Sequence, residues 1–114
     1  MSEFNTTMFR MLGERLKQIR LDNKLNQEDV ARQIGLNRAS ISNIEVGRHQ
    51  APLSVLYEMS KLYKTDIQLL LPGYYEIVAR INENNKKVND LLDNMSMSQE
   101  MRSSIQKVLD NLEK

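Results

Sequence analysis

Between Gln27 and Glu45 the sequence reads QEDVARQIGLNRASISNIE, and this stretch limits the fold more tightly than any other. Ala31 is a small residue inside a helical pattern, placed where a second helix can cross closely, and Gly35 follows four positions later where a chain reversal needs positive φ. Val30, Ile34, Leu36, Ile41 and Ile44 fall at the spacing that turns apolar side chains from both arms towards one core. Cap signals bracket both arms. Asn26 precedes the first, with Glu28 and Asp29 in the turn where the helix dipole favours acids; Asn37 precedes the second, and Gly47 supplies a left-handed residue after it. These coincident restrictions predict a helix over Gln27 to Ile34, a three-residue turn, and a helix ending about Glu45: a helix-turn-helix.

The flanking sequence is also helical in period. Alternating strand-like runs and Asn-Gly or Asp-Gly hairpin signals are missing, so the expected class is all-α. Leu12, Leu16 and Ile19 mark a first helix from about Met8 to Asn23, with Thr6 or Thr7 as its N-cap. A fourth helix follows Pro52 and carries Leu53, Leu56, Met59, Leu62 and Tyr63. Thr65 or Asp66 opens a one-turn fifth helix in TDIQLLLPG, closed by Pro72 and Gly73. Those two residues make the best boundary in the chain, separating an expected domain at 8–73 from an expected helical segment at 74–114. A chain of 114 residues has room for one modest core and an appendage. It contains no cysteine, no apolar run long enough to span a membrane and no signal-peptide pattern, which fits a cytoplasmic protein.

Residues from about Met11 to Pro72, LGERLKQIRLDNKLNQEDVARQIGLNRASISNIEVGRHQAPLSVLYEMSKLYKTDIQLLLP at their heart, resemble the Cro and C1 repressor-type helix-turn-helix domain, the XRE family. The resemblance implies a five-helix, lambda-repressor-like DNA-binding domain whose third helix enters the major groove of double-stranded DNA. By that implication Arg38, Ala39, Ser42 and Asn43 face the bases: the Arg38 fork matches guanine O6 and N7, Asn43 matches adenine N6 and N7, and the small Ala39 and Ser42 allow close approach. Taken alone, Arg38 and Asn43 serve equally well as solvated surface residues; the complete motif favours base contact. Gln27, Asn37, Arg48, His49 and Gln50 are the expected contacts to the DNA backbone, with Gln27 also buttressing the first recognition residue. Ala31 and Gly35 are structural, and Arg20 and Glu45 are expected to pair as a partly buried ion pair tying the first helix to the third.

Enzyme chemistry has too few parts here. The single histidine, His49, cannot supply a histidine-based metal site or a catalytic triad, and no glycine-rich phosphate loop is present, so no metal, no cofactor and no enzymatic activity are expected. Net charge is only +1, divided as +2 over residues 1–73 and −1 over 74–114, which makes a local basic rim the relevant feature.

Beyond Gly73, Tyr74, Ile81, Val88 and Met95 recur every seven residues, with Ile77, Leu91 and Leu92 between them and Asn84 and Asn85 interrupting the seam. A last helix, capped by Ser98, carries Met101, Ile105, Val108, Leu109 and Leu112. The expected arrangement is a C-terminal helical hairpin whose Ile77, Ile81, Val88, Leu91, Leu92, Met95, Ile105, Leu109 and Leu112 form a homodimer, matching the inverted-repeat operators of the family. Two functions compete on the sequence. One is a dimeric transcriptional repressor; the other is an antitoxin or partner-controlled module whose C-terminal helices bind another, regulatory protein while DNA binding serves autoregulation.

Overall fold

A computed structural model of the chain describes residues 2–94 and 99–112. Among the described residues the secondary structure is helical, with no strand. The elements are α1 (Glu3–Asp22), α2 (Gln27–Ile34), α3 (Arg38–Glu45), α4 (Leu53–Tyr63), α5 (Ile67–Leu70), α6 (Tyr74–Asn94) and α7 (Gln99–Leu112). They fall into two compact units, one of Met8–Gly73 and the other of Met1–Thr7 with Tyr74–Lys114.

α1 begins several residues before the expected start, which corrects the N-cap assignment to Thr6 or Thr7. Ser2 does the capping: its Oγ accepts the Asn5 amide at 3.1 Å and its carbonyl accepts the Thr6 amide at 3.0 Å. Serine and threonine cap equally well by local chemistry, so the choice was decided by what the extra turn touches. That turn carries Phe4, whose ring lies 5.4 Å from Tyr74, and Thr7 itself is buried. At its other end α1 stops through Lys24, which takes φ 56° while the Leu25 amide reaches back to the Arg20 carbonyl.

The motif read from the sequence is built from local chemistry. Asn26 and Asp29 form a reciprocal capping box at the start of α2, with the Asp29 amide donating to Asn26 Oδ1 at 2.7 Å and the Asn26 amide to Asp29 Oδ2 at 3.2 Å. At the end of α2, Gly35 adopts φ 84°, and both its amide and that of Leu36 donate to the Ala31 carbonyl at 2.9 Å. Asn37 Oδ1 then accepts the Ser40 amide at 2.7 Å and starts α3. Three residues, Gly35 to Asn37, thus reverse the chain, with the Gly35 and Leu36 amides and the Asn37 carbonyl, which accepts the Ile41 amide, all hydrogen-bonded.

The core of the Met8–Gly73 unit draws on all five of its helices. Leu12 and Leu16 of α1, Val30 and Ala31 of α2, Ile41 and Ile44 of α3, Leu56, Met59 and Tyr63 of α4 and Leu70 of α5 pack as one cluster. Leu16, Val30, Ile41, Met59 and Leu70 are fully buried, each contributing about 1.5–3 kcal/mol of transfer free energy. Of the apolar residues read into α4, Leu53 is exposed, as is Tyr57 one turn on.

Gly13 carries a requirement that the sequence pattern conceals. It is buried in the interior of α1, and a Cβ built there would lie 2.6 Å from the Ile44 carbonyl oxygen, closer still to that of Glu45, and 2.7 Å from the Glu45 carbonyl carbon. A glycine mid-helix normally weakens the helix; here it lets α1 lie directly against the last turn of α3.

Candidate nucleic-acid interface

Successive residues of an α-helix advance by about 100°, so in α3 the buried Ile41, Ile44 and Glu45 define one side. Ala39 and Asn43 lie on the opposite side with Ser42 next to them, and Arg38, seven residues before Glu45 and so nearly in line with it, stands at the flank in the first turn: Arg38 and Ala39 are exposed, Ser42 and Asn43 half-buried. The outward row is thus one guanidinium, a methyl, a hydroxyl and an amide, on a helix held down by two isoleucines.

The following loop is attached to this helix. Both the Arg48 and His49 amides donate to the Asn43 carbonyl, at 2.9 and 3.3 Å, and Arg48, His49 and Gln50 are exposed beside α3. At the other margin, Arg38 shares a depression with Arg20, Asn26, Gln27 and Glu28, where α2 begins. Among the described residues neither Arg38 nor Arg48 is held in an ion pair, whereas Arg32 is paired with Asp29 at 3.6 Å and Arg20 with Glu45. The surface therefore presents cationic charge that the described residues do not hold in ion pairs. Asn37 uses its side-chain oxygen as the cap and keeps its amide NH2 for other partners.

Beneath the surface lies the ion pair expected from the resemblance. Arg20 grips Glu45 with two parallel bonds, Nε to Oε2 at 2.8 Å and Nη2 to Oε1 at 2.9 Å, while Nη1 donates to the Leu25 carbonyl at 3.0 Å. Both residues are buried. The hydrogen bonding of Arg20 to Glu45 outweighs the cost of burial and raises the Arg20 pKa, so the guanidinium stays charged. Burial, reinforced by the Glu45 carboxylate, pushes the neighbouring Tyr63 hydroxyl up to about 12. Gln27, half-buried at the first position of α2, joins the pair: its Nε2 donates to Glu45 Oε1 at 3.2 Å. The side chain expected to buttress Arg38 is thus engaged with Glu45. Sequence reasoning missed this third member because only the folded chain brings the first residue of α2 to the last of α3.

The residues expected to join two copies divide by exposure. In α6, Ile81, Val88 and Leu92 are half-buried and Leu91 is exposed; in α7, Ile105 and Leu109 are half-buried and Leu112 is exposed. Ile77 is 2% exposed, already covered within one chain, which leaves it no surface for a second copy. Met95 and the expected cap Ser98 lie outside the described residues. The stripe of α7 also includes Val108, exposed one turn before Leu112. Among the described residues no group of three or more metal-ligating side chains comes together, and no helix is long and apolar enough to cross a membrane.

Comparison with known proteins agrees with this architecture. Among solved structures, the restriction-modification controller protein C.AhdI from Aeromonas hydrophila is similar over 55% of this chain and 96% of its own, with 24% identity and a TM-score of 0.53. A hypothetical transcription factor, NHTF, from Neisseria is 26% identical over 63% of this chain and 83% of its own, with a TM-score of 0.55. The clp gene regulator ClgR from Corynebacterium glutamicum is similar over 78% of this chain and 94% of its own, with 14% identity and a TM-score of 0.61. No curated protein matches. The family model for the helix-turn-helix domain matches residues 13–76, more than half of the chain, and the protein accordingly belongs to the helix-turn-helix domain family, of the XRE type.

Proposed function

We propose that the protein is a sequence-specific regulator of transcription that binds double-stranded DNA as a dimeric repressor, with α3 in the major groove of each half of an inverted-repeat operator. The observation that carries this reading is the outer face of α3, where Arg38, in no ion pair among the described residues, stands beside Ala39, Ser42 and Asn43. A merely solvated helix has no need of such small groups around one fork-shaped donor. Arg38 pairs with a guanine, Asn43 with an adenine, and the Ala39 methyl meets a thymine methyl. The backbone is held by the amides at the start of α2 around Gln27, by the Asn37 side chain, and by Arg48, His49 and Gln50, which fix the register without reading sequence. The similar structures named above include a controller protein, a gene regulator and a hypothetical transcription factor, which supports the same class.

Dimerisation is assigned to α6 and α7, through Ile81, Val88, Leu91, Leu92, Ile105, Leu109 and Leu112, with Met95 continuing the heptad in the sequence. The exposed Val108 and Leu112 of α7 keep a second reading open, in which these helices bind a regulatory protein in place of a second copy. Selection of operators from random-sequence duplexes, followed by titration of wild type and Arg38→Ala, tests the main reading. Arg38→Ala is expected to cost about 1–3 kcal/mol on the selected operator and to relax the preference at one base pair per half-site. An unchanged consensus would remove α3 from the groove.

A further inference from the structure

α1 runs alongside the end of α3 and the loop that follows it. Gly13 lies against the Ile44 and Glu45 carbonyls, and one turn earlier Arg10 lies against Gly47: a Cβ built on Gly47 would stand 3.0 Å from the Arg10 nitrogen, Cα and Cγ. Gly47, at φ 82°, therefore lets the loop come down onto α1 with no side chain of its own between them. The same loop is fastened to α3 by the Arg48 and His49 amides on the Asn43 carbonyl. The stem of Arg10 thus lies along Gly47. Arg10 is exposed and belongs to the same rim as Arg48, His49 and Gln50, although it comes from a different helix.

We infer that Arg10 is a DNA-backbone ligand through which α1 extends the contact made by the loop after α3. This inference rests on the DNA-binding reading given above. Arg10 is in no ion pair among the described residues, and the acid nearest to it in sequence, Glu14, stands one turn further along α1. Arg10 and Arg48 therefore flank one glycine as two cations that repel each other. Such an arrangement costs the free protein energy and is relieved when a polyanion lies across both. The forked donors of a guanidinium match phosphate oxygens. With a net charge of only +1 over the whole chain, affinity for DNA depends on local cations of this kind. The contact positions the protein and reads no base.

Arg10→Gln keeps the stem along Gly47 and removes the charge, whereas Arg10→Lys keeps both. Lys61→Ala removes one cation from the depression between α2 and α4, lined by Gln33, Ile34, Glu58 and Leu62, and serves as the control for net charge. Affinities of the full chain for the selected operator and for an unrelated duplex are read by fluorescence anisotropy across a potassium chloride series, with ethylation interference on the operator. Arg10→Gln is expected to lose about three- to tenfold in affinity for both duplexes at about 0.1 M salt. Its plot of log affinity against log salt should be shallower by about 0.9, the share of one phosphate. It should also lose interference at one phosphate in each half-site that Arg48→Ala retains. Arg10→Lys is expected to keep the slope and the interference pattern of wild type. A wild-type slope and pattern in Arg10→Gln would overturn the inference; so would an equal change of slope in Lys61→Ala, which would reduce the effect to net charge. Failure of the underlying reading looks different: wild type itself would then select no operator and show no salt-dependent affinity for duplex DNA.

Discussion

Gly13→Ala sets two physical rules against each other. Helix propensity favours the substitution, since alanine inside a helix is better than glycine by about 0.8–1 kcal/mol. Packing opposes it. The new methyl would stand 2.6 Å from the Ile44 carbonyl oxygen and 2.7 Å from the Glu45 carbonyl carbon, and the oxygen of Glu45 lies nearer still. These are backbone atoms of a helix already held by Ile41 and Ile44 in the core, so no rotamer change relieves the overlap, and α1 and α3 must separate by several tenths of an ångström or more. Overfilling of this kind costs about 1–3 kcal/mol. The displaced residue is also Glu45, whose bonds to Arg20 at 2.8 and 2.9 Å lengthen with it, and stretching a buried, charged pair adds to the cost. The sum exceeds the propensity gain, for a net loss of about 1–3 kcal/mol, or roughly 5–15 °C in Tm for a unit of this size. Urea unfolding followed by far-ultraviolet circular dichroism measures it, with the exposed Lys17→Ala as a control for alanine on the same helix. If Gly13→Ala were as stable as wild type or more so, α1 and α3 would not be in direct backbone contact and the derivation would fail.

The remaining expectations concern the turn, the ion pair, the DNA rim and the C-terminal helices. Because nothing lies within 4 Å of a Cβ built on Gly35, the cost of replacing it comes from φ 84° alone: Gly35→Val should lower stability by about 2 kcal/mol and Gly35→Asn by much less, and equal effects in thermal melts would point to crowding instead. The Tyr63 hydroxyl is raised from 10 to about 12 in the folded state, so the native protein holds this proton more tightly than the unfolded chain; the resulting stability is fully present below pH 10 and is lost as the pH rises towards 12. Urea midpoints across that range should fall more steeply for wild type than for Tyr63→Phe, and parallel slopes would contradict the assignment. Arg48→Ala should weaken binding to all duplexes alike and reduce the salt slope by about one, in contrast to Arg38→Ala; a changed consensus in the Arg48 variant would mean that the loop reads bases. Sedimentation equilibrium of wild type and Leu112→Asp tests the C-terminal assignment: a dimer converted to a monomer is expected, and a wild type that is monomeric at micromolar concentration would favour the partner-binding reading.

The legible part of this protein was the part governed by neighbours in sequence. Helical class follows from a 3.6-residue apolar period, and the bounds of α2 follow from Asn26 before it and Gly35 after it, because caps and positive-φ turns are satisfied within three or four residues. The outer row of α3 was legible for the same reason: once Ile41 and Ile44 are known to point inward, helical geometry turns Ala39, Ser42 and Asn43 the other way and leaves Arg38 at the flank of that row. Family resemblance added the pairing of Arg20 with Glu45, which no local rule supplies. Tertiary structure decided the rest. Ser2 and Thr6 offer the same cap chemistry, and only the packing of the extra turn selected Ser2; Gly13 looks like a helix defect until the carbonyls of α3 arrive beside it. Gln27 sits eighteen positions before the carboxylate that it binds, and Ile77 shares the heptad pattern of its neighbours yet is buried where Ile81 and Val88 are half-exposed. A periodic pattern states which face of a helix will be covered, but what covers it depends on contacts between residues distant in sequence, which exist only after the helices have packed.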